Sequence, residues 1–459
     1  MIQSLNDFKK PFFIGVAGQG MSAIAQYLQG IGKEVRGSDR YFIPGKPNAT
    51  RDYLEKEGIR CFLQNGEGMD EGTDLVVIST AVEDTVHELV LARQRGIAVI
   101  LRAELLALIA KSKRTIAVGG TSGKSTTSSM IFDILEEAGL EPGIISGAGL
   151  TRLIAEGRLG NAKVGKGEWL IIEADESDGS IVLYEPEIGL LLNIDKDHKD
   201  IDELIDVFRQ FQSHTEGAFI VNRSHSLAAS LSMNGTNDFS SDTSVAAGFQ
   251  ASDFKQEGLR MSFLINEVSF TMNALGKHNM ENALAAVAVA AQCGVSLETA
   301  SLALSKYEGI YRRNQVFGLK NGIWMIDDYA HNPVKCAAAI RSCQPLSPKV
   351  VAWFQPHGYG PTKFLRKDFV DEISAALRPE DEIWMSEIFY AGGTAVKDIS
   401  AADLIDDLRE KGCRAYFIEN RNDFMSSVKP HLNPGSVLLL MGARDPSLES
   451  FAKQVWESL

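Results

Sequence analysis

Lys124 closes a turn rich in glycine, Gly119-Gly120-Thr121-Ser122-Gly123-Lys124-Ser125-Thr126, which lies between an apolar run, TIAVGG, and an amphipathic pattern, STTSSMIFDILEEAG. A turn of this kind between strand and helix lets backbone N–H groups approach phosphate oxygens, and the helix N-terminus adds partial positive charge. In such a loop Lys124 reaches the outer phosphates and the Ser125 hydroxyl serves a Mg²⁺ ion. The common phosphate loop has one more glycine, five places before Gly123, where this chain has Val118.

Other segments carry charge at the ends of apolar runs. IIEADESDGS places Glu173, Asp175, Glu176 and Asp178 within a few residues. Such carboxylates repel one another unless a cation or hydrogen-bond donors neutralise them, and a magnesium ion on nucleotide phosphates is a suitable cation. NIDKDHKD puts Asp197 and His198 after another apolar run, where open α/β sheets bind ligands. Near the N-terminus GVAGQGMSA supplies Gly18-x-Gly20-x-x-Ala23, with Asp39 about 20 residues on, the pattern that seats a pyrophosphate on a helix and a carboxylate near a ribose. A purely structural turn between strand and helix would show the same glycines.

The elements that must position these groups follow from alternation of short apolar runs with helical periodicity, which predicts βαβ units and mostly parallel sheets. One series runs from FFIGVAG to VHELVLARQRG, a second opens at TIAVGG, and a third extends from GIWMIDDYAHNP through KVVAWFQPHG and DEIWMSEIFYAGG to SVLLLMGARD. The reading is an α/β protein of three domains, 1–107, 108–311 and 312–459. Residues 224–257, rich in Ser, Asn, Gly and Asp, show only weak periodicity and receive no assignment.

Composition narrows the function classes. A chain of 459 residues exceeds one core, and a net charge of -14 argues against nucleic acid as a partner. The five cysteines include no Cys-x-x-Cys pair, which fits a reducing compartment without structural zinc. The run ALAAVAVAA is too short to cross a bilayer, so no membrane insertion is expected. The expectation is a soluble cytoplasmic protein acting on small molecules.

Together these segments resemble the Mur ligase family of ATP-dependent amide ligases, whose nucleotide loop reads Gly-Thr-x-Gly-Lys-Ser/Thr, as Gly120 to Ser125 do here. The absent first glycine is then the family's own variant. The resemblance implies Rossmann-like N- and C-terminal domains around a central ATPase-type domain. It implies ATP at Gly120, Thr121, Ser122, Gly123, Lys124, Ser125 and Thr126, and Mg²⁺ at Ser125, Glu173 and His198. GKHNMENALAA, YRRNQ and DDYAHNP match further family segments, implying that His278, Asn279, Asn282, Arg313 and Asp328 border ATP. Gly18, Gln19, Gly20, Met21, Ser22, Asp39 and Ser79 would hold the UDP end of a UDP-N-acetylmuramoyl substrate, and Tyr329, His331, His357 and Tyr359 the amino acid. Lys124, Glu173, His198 and Arg313 would be catalytic. The implied reaction moves the γ-phosphoryl of ATP onto a carboxylate, and an amine, L-alanine first among the options, then displaces phosphate.

The match thins in the last domain. Members that add L-alanine carry a segment close to Phe-Gln-Pro-His-Arg-Tyr-Thr-Arg-Thr, and this chain has FQPHGYGPT, with Gly358 and Pro361 in place of the arginines. Neither replacement offers a cationic donor to a carboxylate. Lys363 and Arg366, a turn away, are candidate substitutes. Ser122 stands where histidine is usual, and MGARDP introduces Arg444 and Asp445 in place of a Gly-Ala-Gly segment. A ligase that takes a preformed peptide or another amine, and a nucleotide-binding paralogue without turnover, are the alternatives these departures raise.

Overall fold

A computed structural model describes residues 2–195, 200–390, 392 and 396–459. Contacts between residues divide the chain into two compact units. The first comprises Met1–Asp253, Phe263–Met272 and Met280–Gly309; the second comprises Phe254–Ser262, Asn273–Asn279 and Ile310–Leu459.

The first unit contains two parallel-type sheets. β1 (Pro11–Ile14), β2 (Arg36–Asp39), β3 (Arg60–Leu63), β4 (Leu75–Ile78) and β5 (Ala98–Leu101) lie in the order β3-β2-β1-β4-β5. Strand order reverses between β1 and β4, so the turn after β1, which carries Gly18, and Ser79 after β4 flank the crevice where such sheets receive ligands. β6 (Arg114–Gly119), β7 (Gly143–Ile145), β8 (Ala162–Lys163), β9 (Trp169–Glu173), β10 (Ile188–Leu191) and β11 (Ala218–Val221) form the second sheet, ordered β11-β10-β6-β9-β7-β8. β10, β6 and β9 are neighbours and run parallel, so their C-terminal ends open on one edge. One apolar cluster, including Phe13, Ile24, Leu105, Ile109, Ile172 and Phe211, serves both sheets. The boundary drawn at 107/108 falls inside the helix Arg102–Lys111, whose Leu105, Leu106 and Ile109 are buried in that cluster.

The stretch left unassigned holds β12 (Phe239–Ser240) and β13 (Phe249–Glu257), which with β14 (Arg260–Ile265) and β15 (Val268–Asn273) make a four-stranded sheet. β13, FQASDFKQE, is mostly polar and largely half-buried or exposed, so its sequence carries little apolar signal. ALAAVAVAA belongs to the helix Lys277–Gln292, with Ala283 to Ala290 buried in the protein. Among the described residues no helix is long and apolar enough to cross a membrane.

The second unit is built on β16 (Gln315–Lys320), β17 (Ile323–Asp328), β18 (Lys349–Gln355), β19 (Glu382–Ser386), β20 (Arg414–Ile418) and β21 (Ser436–Gly442), ordered β16-β17-β21-β18-β19-β20. β16 pairs antiparallel with β17 and the other pairings are parallel. Cores cover both faces, one around Ile326, Phe354 and Ile383, the other around Trp353, Phe424 and Phe451.

Candidate active site

The turn after β6 leads into the helix Lys124–Glu137 through Gly123, whose φ of 88° is the left-handed conformation that only glycine adopts without strain. A Cβ here would also lie 2.5 Å from Asn282 Oδ1 and force that side chain to shift. Asn193, just after β10, clamps the turn from the side. Its Oδ1 accepts from the Ser122 N–H at 2.8 Å and the Thr121 hydroxyl at 2.8 Å, and its Nδ2 donates to the Ser122 carbonyl at 3.1 Å. The Thr121 hydroxyl also accepts from the Asp195 N–H at 3.0 Å.

Lys124 and Glu173 come together at this edge. The Lys124 ammonium donates to the Gly120 carbonyl at 2.7 Å and to Glu176 Oε2 at 2.6 Å. Burial opposes its charge, but the carboxylates of Glu176, Asp175 and Glu173 outweigh that and hold it above the ordinary lysine value. Glu173 accepts from the Ser125 hydroxyl at 2.9 Å, the Ser146 hydroxyl at 2.6 Å and the Gly147 N–H at 2.7 Å. Ser125 and Glu173 thus present two adjacent oxygen donors, the ligand type that suits Mg²⁺, which characteristically takes one or two protein oxygens beside substrate phosphates. Among the described residues no group of three His, Cys, Asp or Glu side chains could hold a metal alone. Asp197 and His198 lie outside the described residues.

Around Gly18 the acidic residue also organises the backbone. Asp39 is buried, and its oxygens accept from the N–H groups of Ala17 and Tyr41, each at 2.9 Å, which shapes the turn. Ser22 is also buried; its hydroxyl donates to the Gln19 carbonyl at 3.0 Å and accepts from Asn161 Nδ2 at 2.9 Å. Asn161 reaches the Gln19 carbonyl as well, so a residue with no motif of its own braces this helix start. Met21 is buried, while Gln19 and Gly20 are not. Arg102 lies over Gly20, where a Cβ would approach its Cδ to 3.3 Å, and pairs with Asp178 at 3.0 Å.

In the second unit the paired arginines divide their work. Arg312 is buried, donating to Asp327 through Nε at 2.8 Å and to the Gly442 carbonyl at 2.9 Å. Arg313 instead lies over the Tyr329 ring, 4.9 Å from its centre. Asp328 accepts from the N–H groups of Asn314 at 2.6 Å and Ala330 at 2.7 Å, and Asn314 Nδ2 lies 3.4 Å from His278 Nε2. Asn279 is buried at the start of its helix, its Nδ2 donating to the Leu275 carbonyl.

Tyr329, His331 and His357 form a row of rings, with centroids 5.6 and 5.7 Å apart. His331 Nδ1 donates to the Tyr329 carbonyl at 2.9 Å, which leaves Nε2 as an acceptor. Burial first, then the positive charge of Lys335, pushes its pKa down to about 3. The folded protein therefore refuses a proton that the unfolded chain accepts below about pH 6.5. Stability from this group is complete above that pH and is lost as pH falls toward 3, at up to about 1.4 kcal/mol per pH unit. Denaturant titrations at pH 7.5 and 4.5 should show a loss on the order of 2 kcal/mol in the parent that His331→Gln removes.

The substitutes expected for the missing arginines are engaged elsewhere. Arg366 binds Asp407 through Nε at 2.7 Å and Nη2 at 2.8 Å, and Lys363 pairs with Asp398. Gly358 has φ 74°, a conformation that an arginine would strain to adopt, and Pro361 sits in the first turn of the helix Tyr359–Phe364, where a proline is tolerated. Asp445 is held by Arg421 at 2.5 Å, so its carboxylate is committed within the fold.

Comparison with known proteins agrees with this architecture. Three family models match in order: Mur ligase family, catalytic domain, over residues 12–114; Mur ligase middle domain over 118–290; and Mur ligase, glutamate ligase domain over 312–444. The UDP-N-acetylmuramate--L-alanine ligase of Dictyoglomus turgidum is 34% identical over 95% of this chain and 94% of its own length. The enzyme of that name from Geobacter sp. (strain M21) is 35% identical over 94% of each chain. The chain belongs to the Mur ligase family. It is therefore an ATP-dependent ligase of α/β fold with three domains. Among solved structures, the UDP-N-acetylmuramate-alanine ligase of Thermotoga maritima superposes with a TM-score of 0.80 at 23% identity over 98% of both chains. A murein peptide ligase from Psychrobacter arcticus gives 0.69 at 21% identity, also over 98% of both chains.

Asn193, Asn161 and Arg102 are the residues that motif reading passed over. Asn193 carried one available signal, its place at a strand end two residues before Asp195 in NID.

Proposed function

We propose that this chain joins L-alanine to the carboxylate of UDP-N-acetylmuramate, consuming ATP, as a cytoplasmic step of peptidoglycan synthesis. The observation that carries the reading is the meeting of Lys124, Ser125 and Glu173 at the adjacent ends of β6 and β9, in a chain whose relatives bear that activity in their names. The proposed domains for UDP substrate, ATP and amine are 1–107, 108–311 and 312–459, and the matched segments 12–114, 118–290 and 312–444 follow in the same order.

Bringing a carboxylate oxygen to a phosphoryl group sets anion against anion, so this chain's contribution is positioning and neutralisation. Lys124 leaves Glu176 for the outer phosphates, while the loop held by Asn193 presents its N–H groups to the phosphate chain. Ser125, Glu173 and His198 are the proposed holders of Mg²⁺, which when bound would offset the charge of the phosphate oxygens. Arg313 is assigned to the transferring phosphoryl. The carboxylate oxygen takes the phosphoryl and ADP leaves; the neutral amine then forms the C–N bond, and phosphate departs as the nitrogen loses a proton. His331, kept neutral, offers Nε2 as an acceptor to that amine.

Gly358 and Pro361 favour a second reading, in which a preformed peptide supplies the amine. Phosphate release with ATP and UDP-N-acetylmuramate should rise on adding L-alanine and stay at background with L-alanyl-γ-D-glutamyl-meso-diaminopimelate. The reverse order selects the peptide, and background with both rejects the ligase assignment to this acid.

A further inference from the structure

An amino acid or peptide that serves as the amine brings a carboxylate of its own, and in the second unit the positions flanking Tyr359 offer no cation to meet it. The cations nearest in sequence are committed, Lys363 to Asp398 and Arg366 to Asp407. Lys397 is not. Its ammonium lies 4.8 Å from the centre of the Tyr390 ring and 5.7 Å from that of Tyr359. Among the described residues no carboxylate pairs with it, and Asp398 beside it is taken by Lys363.

The seat under this lysine is fixed by backbone. His357 and Phe389 form a parallel bridge, with the Gly358 N–H donating to the Phe389 carbonyl at 2.9 Å and the Phe389 N–H to the Pro356 carbonyl at 2.8 Å. That bridge joins the segments leaving β18 and β19 and stacks Tyr359 edge-on to Tyr390, centroids 5.5 Å apart. The return of the chain is pinned by Glu387, which accepts from the Ser400 hydroxyl at 2.6 Å and the Ala401 N–H at 3.2 Å. Both tyrosines follow the C-terminal ends of parallel strands, where open α/β sheets bind ligands, and His357, two residues before Tyr359, continues the ring row to His331 and Tyr329.

We propose that Lys397, seated on the Tyr359–Tyr390 pair, binds the carboxylate of the amine substrate. This assignment rests on the ligase reading above and adds the residue that selects for a carboxylated amine. An ammonium over two ring faces is held in place by their negative quadrupoles and keeps N–H donors directed outward. The contact is a point charge on a flexible stem, unlike the fixed fork of a guanidinium. Arg444, exposed after β21, has no ring beneath it among the described residues.

Equilibrium binding of L-alanine, of the tripeptide above and of L-alaninamide to the whole protein with a non-hydrolysable ATP analogue tests the assignment. Lys397→Ala should weaken whichever carboxylated amine binds by roughly 10- to 100-fold. Lys397→Arg should stay within about threefold of the parent, and L-alaninamide should bind the parent and Lys397→Ala alike. Equal binding of the carboxylated amines to parent and Lys397→Ala, no carboxylate-dependent binding by the parent, or a loss that follows Arg444→Ala instead would overturn it. Product assays on the same samples separate the two proposals. Product without a Lys397 effect rejects Lys397 alone, and a Lys397 effect without product rejects the ligase reading alone.

Discussion

Lys124→Ala is expected to lower ATP-dependent phosphate release by roughly a thousandfold, because it removes the ammonium that the glycine turn holds at the β6 edge for the outer phosphates. The same change removes the partner of Glu176, whose side chain is only 5% exposed. A carboxylate left buried without its cation destabilises the fold, by about 3 to 5 kcal/mol when the pair is fully enclosed. Loss of activity in the single variant would therefore mix chemistry with stability. Lys124→Ala combined with Glu176→Gln resolves the two, since a neutral amide no longer needs the ammonium. The double variant should regain most of the parent's denaturant midpoint and none of its turnover. A double variant that releases phosphate at the parental rate would remove Lys124 from the reaction.

This case also shows what kind of information the sequence held. The strand, turn and helix around Lys124 are contiguous, so apolar run, glycines and amphipathic pattern report them directly. Glu173 was legible for the same reason, as the acid that ends an apolar strand. The clamp by Asn193 was not, because it depends on β10 lying beside β6, a pairing between residues some 70 positions apart. Asp39 illustrates the limit within a motif. Its spacing from the glycines suggests a ribose contact, but that each of its oxygens also accepts a backbone N–H depends on the path of the turn, which the spacing does not report.

Partner choice in the second unit was hidden in the same way. Arg366 is close in sequence to the positions that lack arginine, but the helix Arg366–Ala376 presents it to Asp407 on the helix Ala401–Glu410. The cation that does face the tyrosines arrives from beyond β19, through a bridge between two strand exits that has no residue signature. β13 escaped notice because its polar composition lacks the alternation by which half-buried strands announce themselves.

Arg312 and Arg313 are adjacent and chemically identical, so their opposite roles give the sharpest second test. Arg312 has φ 56° and Asn314 has φ 47°, left-handed conformations that non-glycine residues adopt only when held. The holding contacts are on either side: the Arg312 N–H donates to Gln315 Oε1 at 2.9 Å, its carbonyl accepts from Tyr329 at 2.7 Å, and the Asn314 N–H donates to Asp328 at 2.6 Å. The Arg312 guanidinium, 11% exposed, is locked to Asp327, 4% exposed. Arg312→Ala should thus lose about 3 to 5 kcal/mol of stability, because Asp327 is left buried and uncompensated. The Arg313 side chain rests on the Tyr329 ring, so Arg313→Ala should unfold within about 0.5 kcal/mol of the parent. Its turnover should nevertheless fall by roughly 100- to 1,000-fold, the effect of removing one charge that meets the transferring phosphoryl. Denaturant unfolding and phosphate release on the two variants separate the roles. Parental turnover in a well-folded Arg313→Ala protein would leave the phosphoryl group without its proposed guanidinium and confine the whole Arg-Arg pair to holding the turn.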